Sequence, residues 1–508
     1  SYDATINHPS WCAFAPYFNN GCVNAPNGIH PDQHAIAINP GNPTQIFEGS
    51  DGGVIRTSGA FADVSSQCDE PHRNGGGPLP TTSGNYKACK RLLSRVPTLI
   101  EHVDKKLSST LQFINVAINP SDSRRVLGGT QDNGTWANLG PSATNAFSQV
   151  IYGDGGNAVF DATNPTWLAN EFTGGFGDAN FENGDPTKWV IATGPMVASG
   201  EAVGFYWPQI GDPNPVPGTH PIYNGAQHVW RSWAFGAGTP GQVPQDTTPK
   251  VAAYEANCPE FVTDGATPTC GDYLPLGGPA GSNQPGDLTG SVYGSDRTGG
   301  SMSWLARDSA DHGTLWAATS AGRIFVTHNA DALDPASVTW HRIDSSTSGN
   351  SPTRFPSGIS VDPADPGHAW VSYSGYNAAT PATPGHVFEV KENGSLPGSG
   401  LFTNLDIEAG TAAFPTPTDN GDLPASDVVR DDSTKTLYVS TDFGVLRGDA
   451  DGTGGWHVTA GMPRYEVMHL EIQPSSRVPT CMGGAAGCQH VLFAATHSRA
   501  IWQMQLGK

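Results

Sequence analysis

The sequence predicts an all-β protein, and three observations lead to this prediction. Glycine (63) and proline (42) are abundant among the 508 residues, whereas charged residues make up only 14%. The stretch 30–57, HPDQHAIAINPGNPTQIFEGSDGGVIRT, contains three short apolar runs separated by Asn-Pro turns and a Gly-rich turn. This alternation is typical of short antiparallel strands, because proline removes a backbone donor and glycine permits positive φ. The best helical candidate, 88–107, is interrupted by Pro97.

The same pattern recurs along the chain and predicts its architecture. Each copy has an apolar run, a polar residue, a turn and a second apolar run, and the equivalent polar residues are Asn39, Asn119, Asp161, Asp308, Asp362, Asp431 and Gln473. The smallest spacing, from 119 to 161, matches the length of a four-stranded propeller blade. We therefore expect a single seven-bladed β-propeller over 1–508, or an eight-bladed one if 1–29 forms a reduced blade. The irregular stretches 59–110 and 176–300 are expected to be loop insertions or degenerate blades.

The eight cysteines indicate the compartment of the protein. They fall into four local pairs: Cys12 with Cys22, Cys68 with Cys89, Cys258 with Cys270, and Cys481 with Cys488. Such closeness favours four local disulfides that each pin one loop, and buried free thiols are the alternative. No pair has the CxxC spacing of a zinc site. Disulfides predict a secreted, extracellular protein.

The charge balance argues against two classes of partner. The formal net charge is −21, and the 26 Lys and Arg residues form no long cluster, which disfavours nucleic acid and anionic lipid. No apolar run approaches the roughly eighteen residues of a membrane span. The chain begins at Ser1 without a visible signal peptide, as we expect of a mature chain or of a fragment of a longer precursor.

Several segments resemble a known group of proteins. HPDQHAIAINP, GSDGGVIRT, LGGTQDNGTW, YGDGG, STDFGVLRG and the terminal ATHSRAIWQM are similar to secreted bacterial β-propellers with sortilin-like or Asp-box (bacterial neuraminidase) repeats. The resemblance covers most of the chain outside 176–300. Such proteins are often labelled glycoside-hydrolase-like, because they share an architecture with xyloglucan-cleaving propeller enzymes. The resemblance therefore implies a propeller fold, and by fold analogy a carbohydrate ligand or substrate.

Equivalent positions in a propeller lie in rings around its axis, so the repeats predict a first group of site residues. The turn position of Asp51 is held by Gln131, Ser320, Asp442 and His497 in other copies. The residue type varies there while the turn glycines recur, which predicts a ligand-binding ring at the mouth of the channel. The alternative is that these small polar groups only hydrogen-bond the turn.

A second group consists of acids. Asp51, Asp132 and Asp154 belong to neighbouring repeats, with Glu171 nearby in sequence. Glycoside hydrolysis commonly needs two carboxyl groups across the scissile bond, so these aspartates are the candidate catalytic residues. The alternative is turn chemistry, since Asp-Asn-Gly and Gly-Asp-Gly are strong turn formers.

A third group is aromatic. Phe205, Tyr206 and Trp207 lie in the irregular stretch 176–300. Exposed rings stack on the apolar faces of sugars, so Tyr206 and Trp207 are predicted to bind a glycan. The alternative is that the cluster belongs to the ordinary core.

A fourth group is a candidate metal site. His30, Asp32 and His34 share one face of an extended segment, where they could bind a divalent ion. The alternative is a hydrogen-bonded polar cluster at the start of a strand. No fingerprint of an organic cofactor is present in the sequence.

Two functional hypotheses follow. The first is a secreted propeller that binds an extracellular glycan or polysaccharide and cleaves it as a hydrolase or lyase. The second is a non-catalytic extracellular protein, structural or protein-binding, that uses the same face.

Overall fold

The computed structural model describes residues 33–50, 53–69, 78–103, 111–140, 147–260, 263, 265–308, 310–345, 351–393, 399–405, 422–453, 455–473 and 490–506. The chain divides into two compact units, Ser1–Leu111 and Gln112–Lys508. Within the described ranges, we find no helix with the length and apolar character needed to cross a membrane.

The first unit is built on one antiparallel sheet. Its elements are β1 (Gln33–Ile38), β2 (Ile46–Ser50), β3 (Gly53–Ala62), helix α1 (Gly84–Leu93) and β4 (Val96–His102), and the strand order is β1-β2-β3-β4. The three strands predicted within 30–57 are present. The stretch 59–110, expected as an insertion or degenerate blade, supplies the end of β3, the helix and the fourth strand. Helix α1 begins after Ser83, whose hydroxyl accepts a hydrogen bond from the Tyr86 backbone N–H at 3.0 Å.

The second unit contains seven small antiparallel sheets, each ordered as in the chain. Six have four strands, and the last has three within the described residues. The sheets are β5–β8 (Ala117–Ile118, Val126–Thr130, Gly134–Asn138, Ser148–Ile151), β9–β12 (Ala158–Phe160, Leu168–Glu171, Gly177–Asn180, Trp189–Ile191), β13–β16 (Gln209–Gly211, Ile222–Gly225, Val229–Ser232, Leu274–Pro275), β17–β20 (Met302–Arg307, Leu315–Thr319, Ile324–Thr327, His341–Arg342), β21–β24 (Pro356–Val361, His368–Tyr373, Val387–Glu392, Gly400–Asn404), β25–β28 (Ala425–Asp431, Thr436–Thr441, Gly444–Asp449, His457–Val458) and β29–β31 (Val467–Gln473, Val491–Thr496, Ile501–Gln505). Two short helices, α2 (Gly194–Ser199) and α3 (Val251–Asn257), lie between strands.

The first strands of these seven sheets pack side by side and close a ring. Each first strand contacts the first strand of the next sheet, and β29 of the last sheet contacts β5 of the first. Small antiparallel sheets arranged radially in this way form a β-propeller. The chain is thus nearly all-β, and the predicted fold class is confirmed at that level.

The recurring polar residue of the sequence pattern ends the first strand of its sheet and starts a tight turn. Asn119, for example, accepts backbone N–H bonds from Ser121 at 3.0 Å and Asp122 at 3.2 Å through its side-chain oxygen. Asp362 does the same for Ala364 at 3.0 Å. These side chains replace the backbone partner that a tight turn lacks, which explains why Asn and Asp recur there.

The stretch 176–300 is more regular than its sequence suggests. It contains the last two strands of the sheet β9–β12 and the whole of the sheet β13–β16. Asp212 plays the recurring turn role here and accepts a hydrogen bond from the Asn214 N–H at 2.9 Å. The repeat escaped detection because Pro213 and Pro217 alter the spacing of the turn, and because 233–273 separates the third strand from the fourth.

The hydrophobic core lies between neighbouring sheets. Trp316 and Ile324 of one sheet pack with Ile359 and Phe388 of the next, and all four side chains are buried. The Trp316 indole N–H donates to the Pro366 carbonyl at 3.0 Å, so this ring also crosses the gap between the sheets.

Two of the four expected disulfides lie in the described residues, and both are formed. Cys68 pairs with Cys89 in the first unit, and Cys258 pairs with Cys270 in the second.

The other two expected disulfides fall outside the described residues. Cys12 and Cys22 belong to one of them, and Cys481 and Cys488 belong to the other. The pairing of Cys12 with Cys22 and of Cys481 with Cys488 therefore stays a prediction from their closeness in the chain.

Candidate functional site

One face of the second unit gathers most of the candidate residues. In an antiparallel sheet, the turn from the second to the third strand lies at the same end as the loop that leads to the next sheet. We call the surface formed by these turns and loops the hairpin face, and the other end the opposite face. Contacts between the two kinds of connection hold the hairpin face together. The Asp132 N–H donates to the Asp154 carboxylate at 3.0 Å, and His497 contacts Glu466 at 3.1 Å.

The residues predicted as a ring occupy equivalent positions on the hairpin face. Gln131, Ser320, Asp442 and His497 each follow the last residue of a second strand. Asp442 is exposed, whereas the other three are half-buried. Asp51 lies outside the described residues.

A buried threonine precedes each residue of this ring and explains the shared turn. The four are Thr130, Thr319, Thr441 and Thr496. The Thr441 hydroxyl, for example, donates to the Gly444 carbonyl at 3.0 Å and closes the hairpin. Gly444 has φ +113°, and a Cβ there would lie 2.4 Å from the Pro463 carbonyl oxygen, so the turn requires glycine.

The acids near the β6–β7 turn lie close together in the structure, but they make different contacts. Asp132 (φ +60°) and Asp154 are half-buried neighbours on the hairpin face. Glu171 is fully buried, and its carboxylate accepts bonds from the Asn157 N–H at 2.6 Å and the Trp207 N–H at 2.8 Å. Burial raises the pKa of Glu171 well above its ordinary value, against these hydrogen bonds, which lower it. Glu171 therefore fastens two loops to its own strand.

The aromatic cluster is divided between core and surface. Trp207 is fully buried, and its indole N–H donates to the Phe172 carbonyl at 2.9 Å, so the expectation that it stacks on a sugar is wrong. It lies in the loop just before β13, and its ring packs between the sheets. Phe205 is 58% exposed and meets Tyr206 edge-to-face at 4.9 Å. The Tyr206 pKa is raised by burial and by the nearby charges of Asp154, Glu171 and Asp132.

One of the three residues predicted to bind a metal ion, His34, lies in the described residues. His34 is exposed on β1, whereas His30 and Asp32 lie outside the described residues. In the part of the chain that the structure describes, no three His, Cys, Asp or Glu side chains are grouped to hold a metal ion.

Sequence reasoning missed a set of exposed apolar side chains on the hairpin face. They lie in six different turns or loops and are Phe205, Val292, Phe355, Tyr376, Phe443 and Tyr465. The connections of the opposite face carry two such residues in the described ranges, Val243 and Leu333. A usable signal was present in Phe443-Gly444, because an aromatic residue directly beside a turn glycine is badly placed to enter a sheet core.

A buried arginine shapes one loop of the hairpin face. Arg323 follows the turn after β18, and its guanidinium donates to the carbonyls of Leu288 at 2.9 Å, Gly290 at 2.8 Å and Gly294 at 2.7 Å. The loop that carries Val292 is therefore wrapped around a fixed cation.

A cavity of about 710 Å³ lies inside the ring of first strands and is lined by all seven of them. Trp304 and His469 face each other within it, with ring centroids 5.9 Å apart. The first strand of each sheet is an edge whose free N–H groups need partners. Polar side chains on or just before the neighbouring first strands supply them: Asp427 accepts from the Leu470 N–H at 2.8 Å, and Asn115 from the Ala158 N–H at 3.1 Å.

The acids that line the cavity, half-buried Glu471 and buried Asp427, have perturbed pKa values. Burial raises the pKa of Glu471 to about 8, with a further contribution from the negative charge of Asp427 and an opposing one from the Ile118 N–H. Burial also raises the pKa of Asp427 well above its ordinary value and lowers that of His469 to about 4. These groups join adjacent strands, so their titration affects stability.

We expect Glu471→Gln to reduce the dependence of stability on pH. The folded pKa of about 8 lies above the usual value of 4.5, so the folded state keeps a proton that the unfolded state has lost. The contribution of Glu471 to the free energy of unfolding is at its maximum below about pH 4.5. It declines by about 1.4 kcal/mol per pH unit between about pH 4.5 and about pH 8. Urea unfolding across this window should show the variant gaining on the parent as pH rises. Parallel curves for the two proteins would contradict the assignment.

Comparisons with known proteins give only distant structural similarities. No family model matches the chain, and no curated protein matches it. Among solved structures, YCF48 from Cyanidioschyzon merolae is 11% identical, covering 78% of this chain and 96% of that chain with a TM-score of 0.47. Saccharomyces cerevisiae Sqt1 is 10% identical (79% and 97%, TM-score 0.42), and the RRP9 WD40 repeats are 9% identical (78% and 95%, TM-score 0.45). At these low values, none of them assigns a function or a partner to this chain.

Proposed function

We propose that the seven sheets of the second unit are the blades of a closed propeller, and that this exported, non-catalytic protein binds another protein on its hairpin face. The distribution of exposed apolar side chains supports the proposal. Six of them lie on the hairpin face, against two in the connections of the opposite face within the described ranges. Five of the six are aromatic, and aromatic side chains are enriched in protein interfaces.

The state of the candidate acids favours binding over hydrolysis. Glu171 is buried and held by backbone donors, so it cannot reach a substrate without breaking the fold. Asp154 accepts the Asp132 N–H, which is the turn role rather than that of a free general acid or base. The disulfides Cys68–Cys89 and Cys258–Cys270 support export, because such bonds persist in oxidising compartments.

A second candidate function is binding of a glycan, as the resemblance to sortilin-like and Asp-box propellers suggests. Phe205 favours it, because its exposed ring lies against Tyr206, which in turn lies near Asp132 and Asp154. A ring beside carboxylates is suited to stack on a sugar and accept bonds from its hydroxyls.

Paired variants of the two faces test the proposal. Phe443→Ser with Tyr465→Ser should weaken capture of the protein partner from the secreted fraction of the source organism at least tenfold, since an aromatic anchor contributes about 2 kcal/mol or more. Val243→Ser with Leu333→Ser, on the opposite face, is the matched control and should retain the partner. Equal capture by both double variants would refute the proposal.

A polysaccharide array, probed with the parent protein and with Phe205→Ala, tests the second candidate function. Glycan binding requires that the parent protein binds a polysaccharide and that Phe205→Ala loses this binding.

A further inference from the structure

The central cavity of the second unit has the size of a ligand site and an aromatic side. Its volume of about 710 Å³ lies within the range of pockets that hold small organic molecules. Trp304 on β17 and His469 on β29 belong to the fourth and the seventh sheets of the ring, and their half-buried side chains meet across the cavity. Burial lowers the pKa of His469 to about 4, so this ring carries no charge at neutral pH and does not repel a cation.

The charged groups on the wall of the cavity are mainly acidic. Two arginines line it, against five carboxylates, which are those of Asp212, Asp427, Asp431, Asp432 and Glu471. Glu471 lies two positions after His469 on β29, so the two side chains project from the same side of the strand. Asp427, on the neighbouring strand β25, adds negative charge near Glu471.

The two arginines of the wall are already balanced by acids. Arg307 contacts the carboxylates of Asp212 at 3.1 Å and Asp331 at 2.5 Å. Arg430 is likewise held by two carboxylates, at 3.1 Å and 3.0 Å. Because each guanidinium shares its single charge between two acids, the cavity favours a cation over an anion.

One further group on the wall is a buried hydrogen-bond acceptor. Gln473 ends β29, lines the cavity and is only 7% exposed. Among the residues that the structure describes, its side-chain oxygen Oε1 has no hydrogen-bond partner. Buried polar atoms are ordinarily paired, so this oxygen favours a ligand that donates a hydrogen bond.

We infer that the central cavity binds a small organic cation, an ammonium group on a compact apolar skeleton. The Trp304 ring offers a cation–π contact, the Glu471 carboxylate offers the opposite charge, and Gln473 accepts a hydrogen bond from the ligand. The site lies inside the ring of first strands. It is therefore independent of the protein partner proposed for the hairpin face, and Phe443→Ser with Tyr465→Ser should leave it intact.

Choline is the probe that tests this inference, because its trimethylammonium group stays charged at every pH and its hydroxyl can donate. The matched probe is 3,3-dimethyl-1-butanol, which has the same shape without the charge. Calorimetric titration of the 508-residue chain at about pH 9 should show choline binding at least tenfold more tightly than the neutral alcohol.

Variants of the wall locate the binding site. Glu471→Gln should weaken choline binding about tenfold or more at this pH, and Trp304→Leu about threefold or more. Trp304→Phe keeps an aromatic ring and should fall between Trp304→Leu and the parent. Glu182→Gln is the matched control, since Glu182 is an exposed acid outside the cavity, and it should bind choline as the parent does. Urea unfolding of each variant separates lost binding from lost folding.

The pH dependence of choline binding is a second readout. Below the Glu471 pKa of about 8 the cation must displace a proton, so the dissociation constant should fall by up to about tenfold per pH unit between about pH 6 and pH 8. Asp427, whose pKa is also raised, acts in the same direction. The other charged or titratable groups that line the cavity are Asp212, Arg307, Arg430, Asp431, Asp432, His469 and His490. Glu471→Gln isolates the part due to Glu471 and should flatten the dependence.

Three results would overturn the inference. The first is a parent chain that binds no choline at any pH. The second is equal binding of choline and the neutral alcohol, which would show that charge is not recognised. The third is choline binding that is unchanged in both Glu471→Gln and Trp304→Leu, which would place the bound choline outside the cavity.

Discussion

Glu171→Leu should lower the free energy of unfolding by about 3–5 kcal/mol, because it leaves the buried Trp207 N–H and the half-buried N–H groups of Asn157 without an acceptor. The carboxylate joins the end of β10 to the loop before β9 and to the segment that carries Trp207 into the core. Its loss should therefore also loosen the hairpin face around Asp154. Urea unfolding measures the first effect, and amide exchange of 152–157 measures the second.

The control for this prediction is Glu182→Leu. Glu182 is an exposed acid just after β11, and its replacement should change stability by less than about 0.5 kcal/mol. Glu171→Gln should fall between the two, since its amide oxygen still accepts one of the N–H groups. Full stability in Glu171→Leu would show that the carboxylate does not hold these loops, and the role given to Glu171 would be wrong.

Arg323→Met is the second change with a large expected effect. The guanidinium is fully buried and donates to the carbonyls of Leu288, Gly290, Gly294 and Asp296, none of which methionine can satisfy. We expect a loss of about 3–5 kcal/mol in unfolding free energy, because the buried carbonyls of Leu288 and Gly290 lose a charged donor. Backbone amides of 288–296 should exchange faster with deuterium, and Val292 should lose its fixed position on the hairpin face.

Arg447→Met serves as the control, since Arg447 is exposed on β27 and its replacement removes the same charge. It should leave both stability and the exchange of 288–296 unchanged. If the two variants behave alike, net charge rather than the wrapped loop explains the effect, and the role given to Arg323 is wrong.

The strands and turns were largely predictable, because they depend on local chemistry. Asn119 and Asp362 accept backbone N–H groups two or three residues away, so their pattern is readable in the sequence. Cys258 and Cys270 are separated by 12 positions, and closeness in the chain was a sufficient guide to their pairing. For the stretch that contains the sheet β13–β16, the sequence left a loop insertion or a degenerate blade open, because long connections hide the repeat.

The candidate site was less predictable, because exposure depends on contacts between sheets. Trp207 and Phe205 are two positions apart, yet one is fully buried and the other is 58% exposed. Nothing in their composition distinguishes them; the Phe172 carbonyl and the Glu171 carboxylate, from another sheet, draw Trp207 inward.

The sequence by itself determined the all-β class, the recurring turn and the two local disulfides of the described residues, since each rests on interactions within a few to about twenty residues. The tertiary structure alone decided which copies of the repeat close into the ring of the second unit. Val116 and Ile36 belong to the same pattern, yet Val116 is buried beside the first strands of two neighbouring sheets, whereas Ile36 is 67% exposed. Burial is a property of neighbours brought together across hundreds of residues, and a single strand carries no record of them.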